Sequence, residues 1–327
     1  MSFPSRFASR ALSTLRTIKS SDCPVCVVTL LLVTTGLQAQ KTERPVSDVQ
    51  RGKGWFTQFS GGYLHQLKSD LDSGGEMEGD RYVAQASVGY RRSFSKQAAL
   101  GIEHVRDAYR FDGIGGFSGP SAWNDIHTVS VAGPIRWSLD DRWTLFVLPS
   151  IRVMAEESAE WEDAITGGGI AGASFKINDQ LTLGPGLGVL SQIEDDLSVF
   201  PVLLIDWKIN ERLRLETGRG LGASQGPGLL LSYKVNEQWK LLAGGRYERL
   251  RFRLAANGVA PNGVGEDRGA PVFLGVRYSL GQRGDINVFS GVDLGGKLMV
   301  DNPSGDKLFT SGYEPAPFFG FSASLRF

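Results

Sequence analysis

Cysteine is almost missing from this chain. Its 327 residues hold two, Cys23 and Cys26. The "CPVC" they form has the look of a redox or metal motif, but it lies inside a segment that reads as removable. The mature chain is therefore expected to carry no thiol and no disulfide. Histidine is scarce as well, with only His65, His104 and His127. Net charge is absent, since Lys+Arg and Asp+Glu both total 35, so nothing in the balance points to nucleic acid. Beyond Leu37 no apolar run approaches the 18 or so residues of a membrane-spanning helix. What the chain has in excess is glycine, 42 residues, which argues for a turn-rich β architecture over a helical one. The mean hydropathy of -0.13 does not decide between soluble and membrane-bound, because a membrane β-barrel alternates lipid-facing with lumen-facing residues and averages out as mildly polar.

The N-terminus has the parts of a secretory signal peptide. Arg6, Arg10, Arg16 and Lys19 give a basic lead-in. "VCVVTLLLVTTGL" (25–37) is an apolar core too short to span a bilayer as a helix, and "LQAQ" offers cleavage after Ala39. We expect residues 1–39 to be removed after export through the Sec pathway, leaving a mildly acidic mature chain. Residues 40–52 would form a short periplasmic lead, and 53–327 the folded body.

That body alternates. In "GLLLSYKV" Leu229, Leu231, Tyr233 and Val235 share one face while Ser232 and Lys234 share the other. "VFLGVRYSL" sets Val272, Leu274, Val276 and Tyr278 against Gly275, Arg277 and Ser279. Successive side chains of a strand point to opposite faces, so each stretch has one apolar and one polar side. A soluble sandwich would also alternate, but many of these segments run 10–14 residues, the length that crosses a bilayer when tilted.

A phrase recurs along the chain: "WSLDDRWTL" from Trp137, "FKINDQLTL" from Phe175, "WKINERLRL" from Trp207, "YKVNEQWKL" from Tyr233, and a looser "YSLGQRGDI" from Tyr278. Each places an aromatic on the apolar face just before a small polar cluster. Trp137, Phe175, Trp207, Tyr233 and Tyr278, with Trp143 and Trp239 just after the turns, would form an aromatic girdle at one membrane interface. The phrase then marks a short periplasmic turn. Turns near Ser95, Asp140, Asn178, Asn210, Asn236 and Gly281, with the opening strand "GWFTQFSGGYL" and the closing one, predict a closed antiparallel up-and-down transmembrane β-barrel of about 14 strands, with 12 as the alternative. The outer loops are expected at 66–80, 113–123, 156–163, 194–197, 219–226, 256–269 and 302–314.

The polar faces should line the lumen. Arg136, Arg152, Asp206, Lys208, Arg214, Glu216, Arg246, Glu248, Arg277, Asp293 and Lys297 are expected to point inward. In "RYERLRFRL" Tyr247 belongs to the outer face while Leu250, Phe252 and Leu254 need the other parity, so a β-bulge is expected near Glu248–Arg249. Arg249, Arg251 and Arg253 would then form an arginine ladder at the upper lumen. It would act either as a selectivity screen for anionic solutes or as interior filling paired with carboxylates. The acidic outer loops read as solvated charge.

Enzymatic readings find little support. "DLD" (Asp70, Asp72) and "DIH" (Asp125, His127) have the spacing of the omptin protease motifs, a rim hydrolase that would require the four to converge. "HTV" at 127–129 lacks the serine that outer-membrane phospholipases place there. "GPGLG" (184–188) and "GIGG" (114–117) follow no strand–helix context and are not nucleotide loops. No catalytic residue, cofactor or metal is expected.

The last residues, "PFFGFSASLRF", alternate and end on an aromatic. With Phe321, Leu325 and Phe327 on one face they resemble the C-terminal assembly signal of bacterial outer-membrane barrels, although Ser322 stands at the usual glycine place. The signal peptide, turn phrases such as "FPVLLIDWKINERLRL" and the terminal "SLRF" together resemble the uncharacterised outer-membrane β-barrel families of Gram-negative bacteria, which include transporter-like barrels. The resemblance covers the whole mature chain. It implies an outer-membrane location, contact with lipid, recognition of the last strand by the barrel assembly machinery, and no chemistry of its own. The expected function is a channel or transporter for small solutes, with a plugged structural or binding barrel as the alternative.

Overall fold

A computed structural model describes residues 53–93, 96–113, 117, 122–217 and 228–327. The signal peptide and periplasmic lead expected at 1–52, the turn near Ser95 and the loop at 219–226 lie outside them. The chain makes fourteen antiparallel passes, β1 to β14, in one closed sheet of seventeen ladder segments, because three passes are interrupted. The first three are β1 (Gly54–Asp70), β2 (Glu76–Ser93) and β3 (Lys96–Asp112). β4 is split at Gly133–Pro134 into Ile126–Ala132 and Ile135–Ser138. Then come β5 (Trp143–Glu156), β6 (Ile165–Lys176), β7 (Leu181–Gln192), β8 (Asp195–Lys208), β9 (Leu213–Thr217) and β10 (Gly228–Lys234). β11 is Trp239–Arg246 and Glu248–Arg253, β12 is Val264–Ser279, β13 is Gly284–Asp301, and β14 is Lys307–Gly312 and Ala316–Arg326. The fourteen-strand expectation holds. Closure comes from β1 against β14, with Gln58 opposite Arg326 and Gln66 opposite Phe318.

The repeated phrase is a side-chain device. At four inner turns the polar residue accepts two backbone N–H groups, from two and three residues ahead. Asp140 Oδ1 takes Arg142 and Trp143 at 2.7 and 2.6 Å, and Asn178 Oδ1 takes Gln180 and Leu181, both at 2.8 Å. Asn210 does the same for Arg212 and Leu213, and Asn236 for Gln238 and Trp239, all at 2.9 Å. An Asx side chain that imitates a backbone turn reverses the chain within very few residues. The N–H groups of Trp143 and then Arg142 hold the Asp140 carboxyl below the usual carboxylate range. The looser fifth copy has no such side chain and turns instead on Gly281, whose φ of 67° is left-handed.

Alternation sorts the wall. Large apolar side chains are exposed on the outside of nearly every strand: Leu100, Val131, Ile151, Leu187, Val199, Leu241, Leu274 and Val288 among them. The aromatics expected to form a girdle lie at the end of the barrel that carries the short turns. Trp137, Trp143, Trp207, Tyr233 and Trp239 are exposed, and Phe175 and Tyr278 are half-buried. Neighbouring members face each other across the ladder: Trp143 and Phe175 have ring centroids 4.8 Å apart, as do Trp239 and Tyr278. The ammonium of Lys96 lies 4.4 Å from the Trp137 ring centre. Trp55 and Tyr90, opposite each other at 5.4 Å, continue the ring and were not anticipated. Eight residues farther along β1, Tyr63 meets Tyr82 at 5.2 Å. Eight tilted strand residues rise about 20 Å, so the two aromatic tiers bracket most of an apolar band about 25 Å tall.

Candidate functional site in the barrel lumen

The lumen is layered. Near the inner mouth, Arg214 holds Asp206 with two bonds of 2.9 Å and approaches Glu216 at 3.4 Å. Asp285 receives Arg326 at 3.1 Å and lies 3.7 Å from Arg277. Arg136, Arg152 and Lys208 also face inward, half-exposed, and none has an ion pair within 4 Å among the described residues.

Farther up, the inner wall becomes apolar on two opposite sides. Leu64, Val83, Val105, Phe273, Phe289 and Phe318 form one patch, and Leu148, Ile170, Phe200 and Val202 the other. Above the first patch a group of buried polar residues converges. Arg81 binds Asp107 through Nε and Glu248 through Nη1, the latter at 2.8 Å. Arg246 reaches Glu248 only at 3.9 Å, and its Nε has no partner. Tyr109 donates to Asp267 at 2.8 Å, and the Tyr313 hydroxyl lies 3.0 Å from Asp293 and 3.3 Å from Asp267. This group borders a cavity of ≈ 50 Å³, room for a few water molecules and far too small for a solute.

The outer mouth is closed, and here the sequence reading needs correcting. No bulge reverses parity at Glu248–Arg249. Glu248, Leu250 and Phe252 continue on the lumen side with Arg246, and Leu250, Phe252 and Leu254 are buried at 4%, 0% and 2% exposure. They are not lipid-facing. They pack on Trp123 and Phe117 from the β3–β4 loop, with Met77, Leu298 and Val300. Trp123 is caged edge-on, 5.1 Å from Phe252, 5.4 Å from Phe111 and 5.6 Å from Tyr109. The bulge sits instead on β13, where the register slips between Arg268 and Ala270 and Gly295 takes a φ of 62°. Beyond it Leu298 and Val300 turn inward, and Lys297 lies opposite Arg268 on the reverse side, not in the lumen as expected.

The upper β11–β12 hairpin thus leaves the wall and crosses the mouth. Its tip pairs in parallel with β5, Arg253 opposite Ala155, six strands away around the barrel. The three arginines lie on the hairpin's other face, where they bond to Glu266 and Asn262 of the hairpin itself and to Asp301 on the next strand, and reach across to the far rim at Asp163 and 193–195. Arg251 donates to Glu266 at 3.1 Å, to Asp301 at 3.0 Å and to the Ile193 carbonyl at 2.8 Å. Arg249 binds Glu266 at 2.8 Å and Asp195 at 3.4 Å. Arg253 binds Glu194 at 2.7 Å, the Asp163 carbonyl at 3.0 Å and the Asn262 carbonyl at 2.8 Å. Glu156, which sequence reasoning passed over as loop charge, ties two loops together. It accepts the Asn124 N–H at 2.9 Å and the Ala255 N–H at 2.8 Å.

An even, closed antiparallel ring with an apolar exterior, aromatic tiers and short turns at one end leaves one reading of the fold. The chain is an outer-membrane-type β-barrel. No family model and no curated protein matches the sequence. Among solved structures it is similar to the COG4313 outer membrane channel from Pseudomonas putida F1, at 9% identity and a TM-score of 0.49, over 87% of this chain and 99% of that one. It is also similar to the P. putida toluene transporter TodX, at 11% identity and a TM-score of 0.42, over 84% and 90% of the two chains. A Pseudomonas aeruginosa FadL homologue gives 13% identity and a TM-score of 0.40, over 84% and 90%.

The omptin-like spacings do not come together. Asp125 and His127 sit at the start of β4, and Asp70 and Asp72 at the end of β1, three strand spacings or about 14 Å away around the wall. Asp125 is engaged by Arg106 Nε at 2.7 Å and His127 by the His104 ring at 3.2 Å.

Proposed function

We propose that the protein is an outer-membrane channel for small solutes whose outer mouth is shut by the β11–β12 hairpin and opens when that hairpin is released. One observation carries the reading: Arg136, Arg152 and Lys208 face the lumen half-buried, and among the described residues none has a carboxylate within 4 Å. An interior packed solid would bury or neutralise such groups, because an unpaired buried charge is costly. The lower lumen therefore holds water, and only the upper end is sealed. The clasp is polar and exchangeable: Arg249 on Asp195, Arg253 on Glu194 and Arg251 on the Ile193 carbonyl can trade these partners for water as the hairpin lifts.

Single-channel recording in planar bilayers tests this. The native protein should show rare, brief openings, and Arg251→Ala or Glu194→Gln should raise the open fraction several-fold. Silence from all three, with no solute entry into proteoliposomes, would favour the second reading, a binding barrel with a permanent plug. That reading draws on the apolar packing of Phe252 and Trp123. In the same proposal, residues 1–39 direct export, the girdle anchors the barrel in lipid, and the strand ending in Phe321, Leu325 and Phe327 is the handle for the assembly machinery.

A further inference from the structure

The hairpin that shuts the outer mouth is tied down on its lower side too, and the ties there are short of donors. Around the small cavity, β11 brings Glu248 and Arg246, and β12 brings Asp267. The wall answers with Arg81 on β2, Asp107 and Tyr109 on β3, Asp293 on β13 and Tyr313 on β14. Asp107 and Glu248 are held by Arg81, with Arg246 3.9 Å from Glu248. Asp80 also borders the cavity but is engaged by Tyr63, His65 and Arg110. Asp267 and Asp293 have no ion pair within 4 Å among the described residues, and hydroxyls stand where cations would. Tyr109 donates to one oxygen of Asp267 at 2.8 Å. The Tyr313 hydroxyl lies 3.3 Å from the other oxygen of Asp267 and 3.0 Å from Asp293. A phenol has one proton, so it satisfies one carboxylate and turns a lone pair toward the other. Two ionised carboxylates so close to one hydroxyl, beside Phe273, Phe289 and Phe318, repel through a medium that screens poorly. A single added proton removes the conflict, because a carboxylic acid donates where the phenol cannot. Asp267 lies on the stretch of β12 that has left the wall, and burial, then the Asp293 charge, push its carboxyl up to about 7.

We propose that the mouth is a proton-controlled gate: Asp267 and Asp293 hold one proton between them while the hairpin is down, and its loss lets the hairpin lift. This rests on the reading of the hairpin as the gate. Once lifted, Asp267 meets water and returns to the ordinary carboxylate range, so the shut state binds the proton more tightly. That advantage is complete below the ordinary carboxylate range and is lost as pH rises through about 7. Acid shuts the mouth, and alkali opens it.

Single-channel recording tests the inference. From about pH 5 to about pH 8 the ratio of open to shut time should rise by about ten-fold or more. Asp293→Asn, whose amide donates as the protonated acid would, should keep the mouth shut at both ends of that range and flatten the profile. Infrared spectroscopy on the detergent-solubilised barrel reads the proton itself. A carboxylic-acid band present in acid should fade toward alkali, and Asp267→Asn with Asp293→Asn should lack it. Unchanged gel mobility of unheated samples checks that the variants remain folded. Openings that ignore pH, that increase toward acid, or that respond to pH equally in Asp293→Asn overturn the proposal. So does a missing band in a barrel that added calcium chloride stabilises, which would put a cation in place of the proton. Arg251→Ala openings in a protein indifferent to pH leave the gate and remove its proton control. A band that titrates in a barrel that never conducts removes the channel, and the gate with it.

Discussion

At the scale of single residues, the inner turns depend on one side-chain oxygen each. Asn210 satisfies two N–H groups that the reversal leaves without strand partners. Asn210→Ala should cost about 0.5–1 kcal/mol, as loss of a helix cap does, read from urea unfolding in lipid vesicles. Asp140→Asn should keep the turn, since the amide oxygen accepts in the same way and three sister turns already use it, and should lose only the charge-assisted part of the two bonds. Turning to the outer wall, Leu274 is 69% exposed, four residues from Tyr278 and so near mid-membrane. Leu274→Arg should destabilise the barrel by about 2–4 kcal/mol in bilayers. In a water-soluble protein an exposed leucine could be replaced at almost no cost, so this substitution also tests which solvent the outer face meets.

At the scale of elements, the proposed gating turns on the hairpin formed by upper β11 and β12. Its apolar side and its arginine side do separate work. Phe252→Ala empties the centre of the cap, where Trp123 packs, and should cost about 3–5 kcal/mol of whatever stability the cap has. Arg251→Ala should leave that core in place and free the clasp. Proteolysis at the hairpin should therefore rise in both variants, whereas unfolding of the barrel strands should not shift. The difficulty of this segment for sequence reasoning has a physical origin. Alternation in "ERLRFRL" correctly divides Leu250 and Phe252 from Arg249 and Arg251. What it cannot say is which side meets apolar surroundings once the strand has risen above the lipid. Trp123 and Phe117, more than a hundred residues earlier, supply those surroundings. An indole and a phenyl in the loop "GFSGPSAW" were the available sign, being too apolar for a loop that only meets water. The turn phrase, by contrast, was legible because an Asx reversal is made within four residues and needs no distant partner. Glu156 was missed because a carboxylate in an acidic loop looks like solvated charge until the two N–H groups that converge on it are seen.

At the scale of the whole molecule, closure and capping can be tested independently. Strand number, turn positions and the outward aromatic tier were readable because lipid imposes one period on every strand; the cap was not, because it escapes that constraint. The described residues contain no cysteine, so a pair can be introduced cleanly. Ala155→Cys with Arg253→Cys places thiols on paired residues of β5 and β11, within the range a disulfide spans. Oxidation should fix the hairpin to the far rim and suppress channel openings, and a reductant should restore them. If oxidised and reduced samples conduct alike, solute passes by a route that does not involve the hairpin.

The arginine clasp has one more implication. Several of its acceptors across the mouth are main-chain carbonyls, those of Asp163, Ile193 and Glu194, and a carbonyl is present whatever side chain its residue bears. The surface-exposed turns that receive the latch can therefore change their chemical face, as targets of phage or antibodies are driven to do, and still hold the door shut.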